Sequence, residues 1–156
     1  MDMTLLKSEL VRDEGLRLSA YKDTVGCLTI GVGRNLDGNP LTEPERSALG
    51  HDCRTQPLTR DQAMYLLGND IARVMVQLDK AVPWWADLDE VRRRVLINMT
   101  FNMGIKKLLG FKRFLMTLNN AHYADAAMEM LESNWALQVG KRANRLAIMM
   151  RTGKTV

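Results

Sequence analysis

Asp13-Glu-Gly-Leu-Arg-Leu-Ser-Ala-Tyr-Lys-Asp-Thr-Val-Gly-Cys-Leu-Thr-Ile-Gly-Val-Gly33 is the stretch that decides the fold of this 156-residue chain. Just before it, Leu6, Leu10 and Val11 share one side of a short helix that starts near Asp2 or Thr4 and stops at Gly15, which puts Glu14 at a helix C-terminus. From Leu16 to Gly33 the character changes. Tyr21, Val25, Thr29, Ile30 and Val32 favour extended backbone, with Gly26, Gly31 and Gly33 between them. The segment reads as a β-hairpin or three-stranded sheet following a helix.

Beyond Gly33 the chain turns helical. Asn35-Leu-Asp-Gly-Asn-Pro40 is turn chemistry, and Thr42 with Glu45 three residues later forms a capping box opening a short helix. Thr59 and Gln62 form a second box. It opens a longer helix whose apolar positions Ala63, Leu66, Leu67, Ile71, Val74, Met75 and Leu78 recur at spacings of three and four, ending before Pro83. From Val91 to Met103 the apolar residues surround nearly the whole circumference, as in a buried central helix. Gly104 and Gly110 bracket an expected loop, and helices are expected over Phe111 to Asn119, Ala124 to Leu131 and Lys141 to Met150. Trp84 and Trp85, after Pro83, are expected to cap a core. The fold class is therefore α+β, with an N-terminal lobe at about 12–58, a connecting helix at about 60–80 and an all-helical C-terminal lobe at about 81–156. Two lobes joined by one helix imply a cleft where a ligand binds.

Composition narrows the function classes. With 46% hydrophobic and 26% charged residues, the chain is an ordinary globular protein. The net charge of +4 is uneven: residues 1–90 carry 10 basic and 15 acidic side chains, residues 91–156 carry 12 and 3. A basic second half suits a polyanion such as a peptidoglycan strand or an anionic membrane surface, or is simply a solvated helix face. The cations include Arg92, Arg93 and Arg94, but no nucleic-acid-binding motif accompanies them, so a nucleic-acid partner is not expected. No stretch approaches the ~18 apolar residues that span a bilayer, and the N-terminus does not read as a signal peptide. Cys27 and Cys53 are the only cysteines and are expected to be free thiols. His51 and Cys53 lack the further ligands of a zinc cage, so no metal is expected.

Two carboxylates flank the expected hairpin, Glu14 and Asp23. Glycoside hydrolysis needs such a pair: one acid protonates the leaving oxygen, and one carboxylate attacks the sugar or positions water and offsets the oxocarbenium charge. The negative end of a helix dipole suits Glu14 to the acid role, and a solvated turn suits Asp23 to the ionised one. Thr29, taken alone, is only a β-branched strand residue.

The quoted segment, with Glu, eight residues, Asp, five residues and Thr, resembles the active-site segment of the T4-type phage lysozymes. Leu58-Thr-Arg-Asp-Gln-Ala resembles the family's connecting-helix start, and the string from Leu88 to Gly104 its central helix. Gly110-Phe111, Trp135, Arg142-Ala143 and Arg151-Thr-Gly153 follow in the family's order. The resemblance implies a lysozyme-like fold with the first helix, 2–14, packed on the C-terminal lobe. It also implies hydrolysis of the β-1,4 bond between N-acetylmuramic acid and N-acetylglucosamine, with inversion. Glu14 is then the general acid, Asp23 steers the water, and Thr29 holds it. Phe101, Asn102, Gly33 and Asn35 become substrate contacts, and Arg142 an ion-pair partner of Glu14. The family implies no metal or organic cofactor. It implies a monomer made in the host cytoplasm, released to the periplasmic wall by a separate holin during host-cell lysis.

The chain departs from the T4-type pattern at Arg34, where that pattern has histidine, and an Arg34 to Asp70 bridge is expected to be less sensitive to neutral pH. Cys27 replaces an aromatic residue, and Phe114 and Glu129 replace small or neutral polar ones. The competing readings are a lytic transglycosylase, which needs no water-holding Asp and Thr, and a cationic membrane-permeabilising protein.

Overall fold

The computed structural model describes residues 1–156. It contains nine α-helices, one 3₁₀ turn and one three-stranded antiparallel sheet, an α+β architecture. The chain divides into two compact units, Met1–Ala72 and Arg73–Val156.

In the first unit, helix α1 (Met3–Glu14) starts on the Asp2 side chain, which accepts the Leu5 N–H, and ends where the Gly15 N–H reaches the Val11 carbonyl. The sheet follows as β1 (Arg17–Lys22), β2 (Leu28–Gly31) and β3 (Arg34–Asn35), in that spatial order. Thr29 lies on the central strand, opposite Tyr21 on one side and Asn35 on the other. Helix α2 (Glu43–Leu49) begins with the complete Thr42–Glu45 capping box. Thr59 and Gln62 likewise exchange two hydrogen bonds at the start of α3 (Arg60–Ala81). Ile30, Leu36, Leu49, Cys53, Leu58, Ala63 and Leu66 form the unit's core beneath the sheet. Removing so enclosed a side chain as Ile30 destabilises by about 2–5 kcal/mol, through lost transfer energy and a residual cavity.

Helix α3 continues into the second unit, where Pro83–Asp87 form the 3₁₀ turn and Trp85, buried, donates its Nε1–H to Asp79. Helix α4 (Glu90–Met103) is buried at every residue from Val95 to Thr100. It packs against α5 (Ile105–Gly110) and α9 (Lys141–Thr152). Helix α7 (Tyr123–Leu131) packs against α6 (Lys112–Asn119), α8 (Asn134–Val139) and α9.

Three features differ from the sequence reading. The expected loop between Gly104 and Gly110 is helix α5: Gly104, at φ +85°, closes α4 onto the Thr100 carbonyl and opens the next helix at once, with Leu108 buried beneath it. Helix α8 lies where none was expected. Six residues are too few for a periodic pattern, and the helix is defined by its Ser133 cap and one buried side chain, Trp135.

The third difference concerns the arginine run. Arg92 and Arg94 are buried rather than displayed. Arg92 donates to the carbonyls of Met150 and Arg151 at the end of α9 and pairs with Asp89, its guanidinium 3.4 Å from the centre of the Tyr123 ring. Arg94 reaches Glu90 and the Thr155 hydroxyl. Arg92 answers the negative end of the α9 dipole and Arg94 ties down Thr155 beyond it, so both cations hold the C-terminal segment and are withdrawn from the surface.

Candidate active site

Glu14 is the last residue of α1, and Gly33 in the β2–β3 turn is packed against it. A Cβ at Gly33 would lie 3.1 Å from Glu14 Oε2 and 3.4 Å from its Cβ, at a backbone φ of +67° that favours glycine. Glycine thus allows the turn to close against the glutamate side chain, which is half-buried.

Asp23 follows β1 directly and starts the turn to β2. Its Oδ1 accepts the N–H of Cys27 at 2.8 Å and of Val25 at 3.0 Å, the local pattern that makes aspartate a turn residue. Both bonds fall on one oxygen, so Oδ2 keeps its acceptor capacity. The Asp23 N–H in turn donates to the Cys27 carbonyl at 2.9 Å, and the Thr29 hydroxyl donates to that same carbonyl at 3.0 Å. With its hydrogen engaged there, the Thr29 oxygen presents only lone pairs to any further partner. Cys27 was not expected to matter; its contribution lies entirely in its backbone, which no residue-type pattern displays.

Asn35, expected as a substrate contact, uses its Oδ1 to accept the N–H groups of Asp37 and Gly38, while its Nδ2 makes no hydrogen bond within the chain. Its carbonyl oxygen is a turn-former and only the amide nitrogen remains to meet a ligand.

Arg34 and Asp70 meet at 2.9 Å, and the sequence reading did not foresee the third member, Glu45. All five N–H donors of Arg34 have acceptors: the Asn39 and Pro40 carbonyls, Asp70 once and Glu45 twice. Burial alone would lower the Arg34 value, but Glu45 and Asp70 more than reverse this and raise it. Burial likewise pushes the Glu45 carboxyl up, yet hydrogen bonds from Arg34, the Thr42 N–H and Asn69 hold it down at about 2. Glu45 was recognisable as a cap. Its second role depends on a partner eleven residues back.

In the second unit, Phe101 is half-buried on α4 and Asn102 is exposed. Asn102 Oδ1 accepts the Trp135 indole N–H at 2.7 Å, and both line a cavity of about 540 Å³ with Lys107, Phe111, Asn134 and Gln138. Arg142, at the start of α9, donates its Nε–H to the fully buried Asn98 at 2.9 Å. Asn98 had no role in the sequence reading. Cys27 and Cys53 are free thiols, and burial pushes the Cys53 thiol up, which keeps it protonated and unreactive at neutral pH.

An α+β chain with a glutamate closing its first helix, and an aspartate and a hydroxyl tied to one peptide of the adjoining hairpin, has the makings of a glycoside hydrolase of the lysozyme class. Comparison with known proteins agrees: the family model described as phage lysozyme matches residues 11–151. Two proteins of Dictyostelium discoideum described as probable T4-type lysozymes 1 and 2 are each 31% identical, over 95% of this chain and 94% of theirs. The pre-baseplate central spike protein Gp5 of Enterobacteria phage T4 is 29% identical over 92% of this chain and 27% of its own length. The chain belongs to the phage lysozyme family, and it is a lysozyme-type glycosidase.

Proposed function

We propose that the chain hydrolyses the β-1,4 bond between N-acetylmuramic acid and N-acetylglucosamine in peptidoglycan by a single inverting displacement. Glu14 protonates the leaving oxygen. Asp23 and Thr29 hold the attacking water, and the Asp23 carboxylate offsets the positive charge that develops on the sugar ring. The observation that carries this reading is the hydrogen bonding around Cys27. Asp23 Oδ2 and the Thr29 oxygen are both left as acceptors. A water donating one hydrogen to each is left with a lone pair for the anomeric carbon, and protonation of Asp23 in the same step completes its activation.

Gly33 shapes the seat of Glu14, the Asn35 amide donates to the glycan, and Phe101 and Asn102 are further substrate contacts. The enzyme acts as a monomer on the periplasmic wall during host-cell lysis by a phage or prophage, released from the cytoplasm by a separate holin. Its basic surface makes a secondary contact with anionic membrane.

Product analysis on purified peptidoglycan tests the reaction. Reducing N-acetylmuramic acid ends, released first as the inverted anomer by NMR, are expected. An anhydro-muramic end would replace hydrolysis by transglycosylation, and a retained anomer would replace the single displacement by a covalent intermediate.

A further inference from the structure

The Cys27 carbonyl that receives both Asp23 and Thr29 shares one rigid peptide plane with the Leu28 N–H, and in a trans peptide the two groups point in opposite directions. The Leu28 N–H donates to Asp37 Oδ2 at 2.8 Å. The same segment grips Leu28 a second time, through the Leu36 N–H on its carbonyl at 2.8 Å. Asp37 is exposed and its backbone is fixed by Asn35 Oδ1, so the turn after β3 carries a placed carboxylate back to the first residue of β2.

We propose that Asp37 is a positioning residue for the hydrolysis, acting through the Cys27–Leu28 peptide on Asp23 and Thr29. It makes no hydrogen bond to either residue. Holding the N–H end of the plane fixes where the carbonyl end points, and hence the direction of the Thr29 hydroxyl and the seat of the Asp23 backbone. A charged acceptor on the N–H also polarises the peptide and strengthens its carbonyl as an acceptor. The Thr29 hydrogen is thereby kept on Cys27, and the Thr29 oxygen is kept as a lone-pair donor towards water. The inference rests on the water-holding roles given to Asp23 and Thr29 above.

The test is a set of variants, Asp37→Ala, Asp37→Asn, Thr29→Ala and the double Asp37→Ala with Thr29→Ala, with kcat, KM and melting temperature measured on solubilised peptidoglycan strands. Asp37→Ala is expected to lower kcat by about 10-fold with KM within about 2-fold, the mark of an interaction serving the transition state. Asp37→Asn keeps an acceptor without the charge and is expected to fall between, near 3-fold lower. In the Thr29→Ala background the effect of Asp37→Ala is expected to shrink to about 2-fold, since residues acting through one peptide are not additive. A parent-like kcat in Asp37→Ala would overturn the proposal, as would an undiminished loss in the Thr29→Ala background, which would mark a general structural effect. Should Asp37→Ala fail to fold, Asp37→Ser and Asp37→Asn decide, parent-like kcat in both being the contrary result. Survival of activity in Asp23→Asn strikes the catalytic assignment instead, so the two failures are distinguishable.

Discussion

Asp23 and Cys27 are joined twice: the Cys27 N–H donates to Asp23 Oδ1 at 2.8 Å and the Asp23 N–H donates back to the Cys27 carbonyl at 2.9 Å. Only backbone atoms of Cys27 take part, so its thiol is dispensable. Cys27→Ala and Cys27→Ser are expected to keep kcat within about 2-fold of the parent, because the main-chain geometry of the turn is unchanged. Steady-state kinetics beside the parent checks this, and a loss of tenfold or more would show that the sulfur itself contributes.

Gly33→Ala introduces two problems at one position. The φ of +67° costs a non-glycine residue about 1 kcal/mol, and the new methyl lies 3.1 Å from Glu14 Oε2, so the carboxyl or the turn must move. A melting-temperature drop of a few degrees and a loss of about 5- to 10-fold in kcat are expected, since small misplacements of a reacting group are costly. Parent-like activity would show that the glutamate needs no such close seat.

The Arg34, Glu45 and Asp70 group makes stability fall in acid. The unfolded chain takes up the Glu45 proton near 4.5 and the folded chain only at about 2. The contribution is therefore complete above 4.5 and is lost as pH falls through the interval to 2, amounting to roughly 2–3 kcal/mol for a carboxyl this enclosed. The raised value of Arg34 keeps its guanidinium charged throughout any working range. Denaturant unfolding of the parent and Glu45→Gln between pH 2 and 7 is expected to show a shallower acid decline in the variant. The variant is also expected to be less stable at pH 7, because Arg34 keeps a buried charge with fewer partners. Parallel curves would remove Glu45 as the source.

Arg92 closes the end of α9 from 58 residues away through the Met150 carbonyl. Arg92→Met is expected to lower unfolding free energy by about 2–3 kcal/mol, leaving the Met150 and Arg151 carbonyls without that donor. Arg92→Lys should recover only part of the loss, having no planar fork to serve both carbonyls. Chemical denaturation of the three proteins measures this, and equal stability of Lys and Arg would argue that charge alone suffices.

These cases separate what the sequence displays from what it hides. The two capping boxes, the stop of α1 at Gly15 and the alternation of glycine with β-prone residues are local patterns, and each corresponds to an element at the expected place. Arg34 with Asp70 was legible only because a family pattern pairs those positions. Glu45 joined them unseen, since its capping role already accounted for it. Arg92 and Arg94 read as surface charge because, beyond the neighbouring Asp89 and Glu90, the acceptors that bury them lie some sixty residues downstream, at carbonyls and a hydroxyl that no spacing rule connects to them. The Cys27 peptide was hidden for another reason: its working atoms are common to every residue type, and only the folded turn gives them a role.

The most direct test of the account is the rate of reducing-end release from purified peptidoglycan by the parent beside Glu14→Gln and Asp23→Asn, each confirmed folded by its melting curve. Loss of the general acid or of the water-activating carboxylate is expected to lower kcat by about 10²-fold or more, the usual scale for acid–base groups. Parent-like release by either folded variant would contradict the assignment of Glu14 and Asp23 as the residues that carry the reaction.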